Sequence, residues 1–536
     1  MTVFLKQLFM AGAALLTGAA TSPAQLTVVH SFDGALNDGA NPNGSLVLAG
    51  TNLYGATPYG GVTNFGTLFR INTDGTGYTN LYHGQETVTG GSEPRGTPLV
   101  DGSTLYGLTS LGGPVVTNSV TITTNTTTQV VTTNWGTGIH GTVFKISITG
   151  GVFTALYNFT GQDIDEISDD GSQPWGDVTL DGSALYGCTR FGGSNDTGTV
   201  FTINTNGTGY TVLHHFAGGS ADGATPCGSL TLLDGVLYGV TTFGGSNNYG
   251  TVFRMNTNGT GFTILRHFLG APWDGAQPWG SLVSTGGMLY GMTTFGGTNG
   301  FGTVFQISTN GTGYSTLYNF TGTGSNGANP YGSLALSGGT LYGMTAYGGS
   351  SNAGTLFQIS TNGSGFQVLK SFTGGTSDGA IPYGTPAIAG TTLYGMTSQG
   401  GTADEGIIFA WPLSATDSDS DGIPDAWEAQ YFGGATNANP SAPAANGVNT
   451  IYEAYIAGLN PTNVQSVFAV SNGASVLDVR WNAVSGRVYS VYWTTNLLNG
   501  FQPLETNIVW PQNSWTDLVH GAQGEGFYRI KVQLAP

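Results

Sequence analysis

Leu341-Tyr342-Gly343-Met344-Thr345, then Tyr347-Gly348-Gly349, then Gly354-Thr355-Leu356-Phe357: these three elements decide how the chain folds, because they return at a fixed period. The tripeptide Leu-Tyr-Gly has its Tyr at 54, 106, 186, 238, 290, 342 and 394, spaced by 52 residues except for one interval of 80. Each copy leads to a Gly-Gly pair and then to Gly-Thr-Val/Leu-Phe, degraded only in the seventh, Gly406-Ile407-Ile408-Phe409. A period of this length marks a repeat architecture, in which one unit cannot bury its apolar face without its neighbours.

Within a period lie four short runs of β-formers divided by Gly and Asn turns. In the fifth copy Ser281-Leu282-Val283 opens strand a, Met288 to Thr294 is strand b, Gly302 to Ile307 is strand c and Tyr314 to Phe320 is strand d. Asn310-Gly311 between c and d tolerates the positive φ of a tight hairpin. Four antiparallel strands per ~50 residues are the signature of a β-propeller blade. Strand d follows repeats one to six, but the seventh repeat stops after strand c near Pro412. The missing pattern stands at the other end, in Leu26-Thr27-Val28-Val29-His30-Ser31-Phe32. An N-terminal strand that completes the last blade closes the ring and removes both sheet edges. The chain is therefore expected to be all-β, with a seven-bladed β-propeller over 25–413.

The repeat also resembles a known family. Leu-Tyr-Gly-Met-Thr, the Gly-Gly pair and Gly-Thr-Leu-Phe, recurring in register behind an export signal, are similar to the GloVer tandem-repeat family of exported bacterial proteins. The resemblance covers roughly 26–412 and implies propeller layout and export; it implies no activity or ligand.

Composition narrows the function. Of 536 residues 90 are Gly and 21 Pro, and only 8% are charged, against about 25% in an ordinary soluble domain. Aromatic residues at 11% and apolar ones at 39% supply a core, which excludes disorder. Twelve basic against thirty acidic residues give a net charge of −18, the wrong sign for nucleic acid or an anionic membrane. Residues 1–24 read as a signal peptide: Lys6, an apolar run from Leu8 to Ala20, and Ser22-Pro23-Ala24 as the cleavage site. That run falls short of the ~20 residues that span a bilayer. The mature chain is expected to begin near Gln25, secreted or at the cell surface, a monomer with no membrane span. Cys188 and Cys227 occupy neighbouring repeats at positions held elsewhere by apolar or aromatic residues, so packing is the first reading and a disulfide the alternative.

In an antiparallel meander the b–c turns and d–a connections share one end, and irregularity gathers there. Repeat two carries an extra b–c segment around Pro114 to Gly138 and a longer d–a connection near Asp163 to Asp170. This loop-rich end is the candidate binding surface. Each d–a connection reads Asp/Asn-Gly-x-x-Pro-x-Gly, and the residue after Pro varies: Asn43, Arg95, Trp175, Cys227, Trp279, Tyr331, Tyr383. Trp175, Trp279, Tyr331 and Tyr383 at the start of the innermost strand suit a ring around the central channel, where flat faces and nearby amides match a sugar; the alternative is packing between blades. The repeated Asp at 38, 170, 222, 274 and 378 reads as a turn residue. Asp163, Asp165, Glu166, Asp169 and Asp170 occur together in one repeat only, as a solvated loop, a cation site or paired carboxylates for polysaccharide chemistry.

Over 414–465 a calcium loop and helical linker are expected. Asp417, Asp419, Asp421, Asp425 and Glu428 fall at loop positions 1, 3, 5, 9 and 12, with Gly422 at 6 and the Ile423 carbonyl at 7. The segment resembles the EF-hand-like loops of dockerin and thrombospondin type-3 repeats, and Pro424 departs from a full EF-hand. Structural calcium is the expected cofactor. Residues 466–536 alternate apolar and polar, as in Leu477, Val479 and Trp481 or Tyr528, Ile530 and Val532, which predicts a small β-sandwich. The expected function is a non-enzymatic binding module for extracellular polysaccharide or another cell-surface component. The alternatives are a polysaccharide lyase or glycoside hydrolase using the acidic loop, and a purely structural surface protein.

Overall fold

A computed structural model describes residues 26–413, apart from 86–89, 114–116, 125–126, 135–139, 161–168 and 323–325, together with parts of 431–534. The signal segment 1–24 and the expected calcium loop, with Asp417, Asp419, Asp421, Ile423, Asp425 and Glu428, lie outside the described residues. The chain divides into two compact units, one of them Gln25–Pro412.

Among the described residues of that unit are seven four-stranded antiparallel sheets, each built from one repeat. In the fifth, strands Val283–Thr285, Met288–Thr293, Thr303–Ser308 and Ser315–Asn319 follow one another in sequence and in space. The exception to sequential order is the expected one: Thr27–Ser31 pairs with Ile407–Pro412 and completes the sheet of the seventh repeat.

The tripeptide has a physical reason. In the fifth repeat Leu289 and Tyr290 are buried, and a Cβ on Gly291 would lie 2.6 Å from the ring of the fully buried Phe305, its cross-strand partner. Beyond Gly291, Thr293 and Thr303 share a buried hydroxyl hydrogen bond of 2.8 Å, and Thr293 also donates to the Phe295 carbonyl at 3.0 Å. These hydroxyls satisfy each other where the strand leaves the core.

The core lies between sheets. Tyr238, Val240, Val252 and Phe268 pack against Leu282, Leu289, Phe305 and Ile307 of the next repeat. The same contact joins last to first: Phe32, Met396 and Ile408 pack with Leu46, Leu53 and Phe69. Each large apolar side chain buried this way contributes about 1.5–3 kcal/mol. Cys188 and Cys227 are both buried and unbridged. Burial pushes the Cys227 thiol up to about 11 and raises Cys188 as well, so both stay protonated and packed.

The extra segment of repeat two forms a hairpin of Thr117–Thr124 and Thr127–Asn134 in continuous register. In the C-terminal unit two three-stranded antiparallel sheets occur, one from Val470–Asn472, Asp478–Trp481 and Ser514–Thr516, the other from Arg487–Thr494, Gln502–Val509 and Phe527–Leu534. Tyr489, Val491, Trp493, Ile508 and Ile530 of the second are buried.

Candidate functional site

At each d–a connection the residue before Pro takes the left-handed conformation, from Asn41 at φ 50° to Ile381 at φ 56°. For Ile and Thr225 this is strained, and such strain gathers at functional sites. The loop is tied to its neighbours: Gln277 N–H donates to the Tyr249 carbonyl at 2.8 Å, and Thr294 N–H to the Gln277 carbonyl at 3.1 Å. The d–a connection pairs with the b–c turn, Gly275 with Gly296 and Ala276 with Phe295, so both lie at one end as expected.

Just past each Pro the chains converge. Ser45 N–H donates to Thr97 Oγ1, Thr97 to Asp177 Oδ1, Asp177 to Ser229 Oγ, Ser229 to Ser281, Ser281 to Ser333, Ser333 to Thr385, and Thr385 back to Ser45 Oγ, at 2.5–3.3 Å. This closed circuit leaves no space for side chains beside it: a Cβ on Gly228 would lie 2.7 Å from the Gly280 carbonyl oxygen.

Above it is one cavity of about 440 Å³, lined by Trp175, Trp279, Tyr331 and Tyr383 together with Asn43, Arg95 and Cys227. The four aromatics form an arc, Trp175 to Trp279 at 5.7 Å between ring centroids, Trp279 to Tyr331 at 5.8 Å and Tyr331 to Tyr383 at 5.2 Å. They therefore pack on one another and line the cavity at once. Trp175 carries two guanidinium groups, Arg190 at 4.1 Å from its centroid and Arg95 at 5.1 Å. Such contacts are each worth about 0.5–2 kcal/mol.

Asp177 stands where the other members of the circuit are Ser or Thr. Burial pushes its carboxyl above the usual value of 3.8, against the opposing hydrogen bonds of Thr97 and Ser229. A carboxyl held more protonated in the fold weakens the fold as pH rises through 3.8 toward its folded pKa. Asp177→Ser is thus expected to raise the urea midpoint at pH 7 and to leave it unchanged below about pH 3. An equal shift at both pH values would contradict this.

The repeated Asp residues are turn residues, as the sequence indicates, and more. Asp274 accepts from Gly275 N–H at 2.6 Å and Leu269 N–H at 3.4 Å, and also from Arg266 Nε at 3.1 Å. His30 meets Asp38, His214 meets Asp222 and Lys370 meets Asp378 in the same way, at 2.8–3.1 Å. Burial works against ionisation of Asp38, but His30 and the Asp33 amide outweigh it and hold that carboxyl below the usual value. In repeat two Asp170 accepts from Tyr157 and from both Thr160 donors at 2.9–3.0 Å, so it serves its turn. Asp163, Asp165 and Glu166 lie outside the described residues. His215 and His267 accept the amides of Ser194 and Ser246 at 3.3 Å, a repeat-wide role that Asn319 fills for Thr298. No group of three or more metal-ligating side chains occurs among the described residues.

Sequence periodicity missed the rim. Trp273 is 81% exposed, and Leu269 on the same connection and Tyr249, Phe295 and Phe301 on b–c turns are exposed as well. Of the nine exposed large hydrophobic side chains among the described residues, all but Val152 lie on d–a connections or b–c turns. The signal was available in Ala271-Pro272-Trp273, which puts an aromatic residue where d–a connections of the same length hold Asn37, Ala221, Ser325 or Ser377.

The Gloeobacter/Verrucomicrobia repeat matches residues 118–272 and 234–409. The chain belongs to that repeat family. Its repeats are the sheets just described, and the motif that defines them is the one that closes the core around Gly291. Among solved structures, the chain is similar to an oligogalacturonate lyase from Vibrio parahaemolyticus, at 10% identity over 73% of this chain and 94% of the lyase, with a TM-score of 0.42. It is also similar to TolB from Acinetobacter baumannii, at 12% identity over 56% of this chain and 58% of TolB, with a TM-score of 0.32. A nidogen/laminin complex matches at 15% identity over 51% of this chain and 78% of that one, with a TM-score of 0.31. No curated protein matches the chain. Among the described residues, no helix is long and apolar enough to cross a membrane.

Proposed function

We propose that this protein is a secreted or cell-surface, non-enzymatic recognition module that binds extracellular polysaccharide at the loop-rich end of a closed seven-bladed β-propeller. The convergence of seven d–a connections on one aromatic-lined cavity of about 440 Å³ carries this reading. That size lies in the range of sites that hold small molecules. The exposed aromatics on the same end extend the surface outward, and a flat indole with no intramolecular cover suits the C–H face of a sugar. The circuit of seven hydrogen bonds and the core joining Phe32 to Phe69 favour the closed ring. The two C-terminal sheets would form the β-sandwich, an attachment module, with calcium held at 417–428 to stiffen the link.

Co-sedimentation of residues 25–536 with a panel of insoluble polysaccharides, read together with release of shorter products, tests the proposal. Depletion without products is expected. Trp273→Ala should reduce the bound fraction about tenfold while leaving the thermal midpoint unchanged, because so exposed a side chain holds little of the fold. Product release would favour a lyase or hydrolase and turn attention to Asp163, Asp165 and Glu166. An absence of binding to every polymer would favour the structural role.

A further inference from the structure

We propose that the cavity takes one carboxylate-bearing sugar, a uronic acid at the end of a saccharide chain, with its carboxylate against Arg95 and the Trp279 N–H. This rests on the saccharide reading above and narrows it to a ligand class. The cavity offers donors that no hydrogen bond among the described residues uses. Trp279 Nε1 is enclosed without a hydrogen-bond partner among the described residues. Ser45, Ser281, Ser333 and Thr385 each accept a neighbour's amide and each keep an O–H to donate. Asp177, the one carboxylate of the circuit, already accepts from the Thr97 amide and bonds to Ser229.

Charge points the same way. Arg95 meets Glu93 through Nη2 at 2.5 Å and Ser110 through Nε at 3.2 Å, which leaves its other terminal nitrogen without a partner among the described residues. Behind Trp175 stands Arg190, which has no ion pair among the described residues and a buried Nε without a partner. A guanidinium without an ion-pair partner among the described residues therefore stands beside the cavity, which also holds the buried Asp177 carboxyl, in a chain whose net charge is −18. Sugar hydroxyls donate as readily as they accept, whereas a carboxylate only accepts and forms the stronger, charge-assisted bonds. The overall negative charge works against a polyanion, so a single terminal acid fits better than a run of them.

Calorimetric titration with cellobiuronic acid and with cellobiose, which differ only in a carboxylate against a hydroxymethyl group, tests this. The acid should bind at least about tenfold more tightly. Trp279→Phe, which keeps the ring and removes the N–H, and Arg95→Gln should each erase most of that preference. In each variant cellobiose affinity should fall by less than the acid's, with the native fold retained by circular dichroism. Equal affinities, or a preference that survives both substitutions, would overturn the carboxylate assignment and leave the saccharide reading standing. Binding of neither disaccharide would overturn both.

Discussion

A chain that lacks residues 26–33 is expected to lose its native, monomeric form and to run as aggregate on size exclusion. Thr27, Val28, His30 and Ser31 pair with Ala410, Phe409, Ile408 and Ile407, so their removal bares the backbone of the last strand, and an uncovered strand edge recruits other chains. Phe32 goes with them. It is fully buried and meets Phe69 edge-on at 5.5 Å between centroids, and loss of such a side chain costs about 3–5 kcal/mol. His30 also goes, with its stacking on Tyr78 at 4.1 Å and its bond to Asp38. The sum is comparable to the whole stability of many domains, about 5–15 kcal/mol. A synthetic peptide of residues 26–33 added during refolding should restore the monomer, since the vacant slot accepts any strand of that pattern. A truncated chain that elutes as a monomer with an unchanged thermal midpoint would show that closure does not hold the sheets together.

The second large effect is expected at Arg266. Its guanidinium reaches Asp274, which is 1% exposed, and lies 4.0 Å from the centre of the Tyr314 ring. Arg266→Ala leaves a buried carboxylate with only amide and phenol donors and should cost about 3–5 kcal/mol in urea unfolding at pH 7. The double variant with Asp274→Asn should recover a large part of that loss, because the penalty belongs to the stranded charge. His214→Ala beside Asp222 should cost less, since a neutral imidazole is a weaker partner than a guanidinium that is always charged. A loss below about 1 kcal/mol for Arg266→Ala would mean that water replaces the guanidinium.

The repeat was legible because its letters are dictated by space. Gly291 must be Gly beside Phe305, so the tripeptide survives in every copy and locates strand b. The N-terminal strand was legible through the same arithmetic, as the one d pattern without a preceding c. The mouth was legible from position alone, because a residue that follows a fixed Pro in every repeat must recur around a common axis.

What escaped the sequence is what varies chemically at a fixed place. The partner eight residues before the turn Asp is His30, His214, Arg266 or Lys370, and Tyr157 reaches Asp170 from farther back. These side chains share no letter, only the ability to donate to a carboxylate. The circuit of Ser, Thr and Asp177 was hidden for the same reason, since hydroxyls are common in turns and nothing in the sequence says they meet. Trp273 escaped because a search by periodicity passes over a residue that occurs once.

The most direct test of the central claim is a crystal structure of residues 25–536 soaked with an oligosaccharide cut from whichever polysaccharide co-sediments. The account predicts an uncleaved sugar in the cavity beside Trp279 and Tyr331, with the chain running out toward Trp273. An empty cavity, with the sugar seated instead on the C-terminal sheets of 470–534, would contradict it.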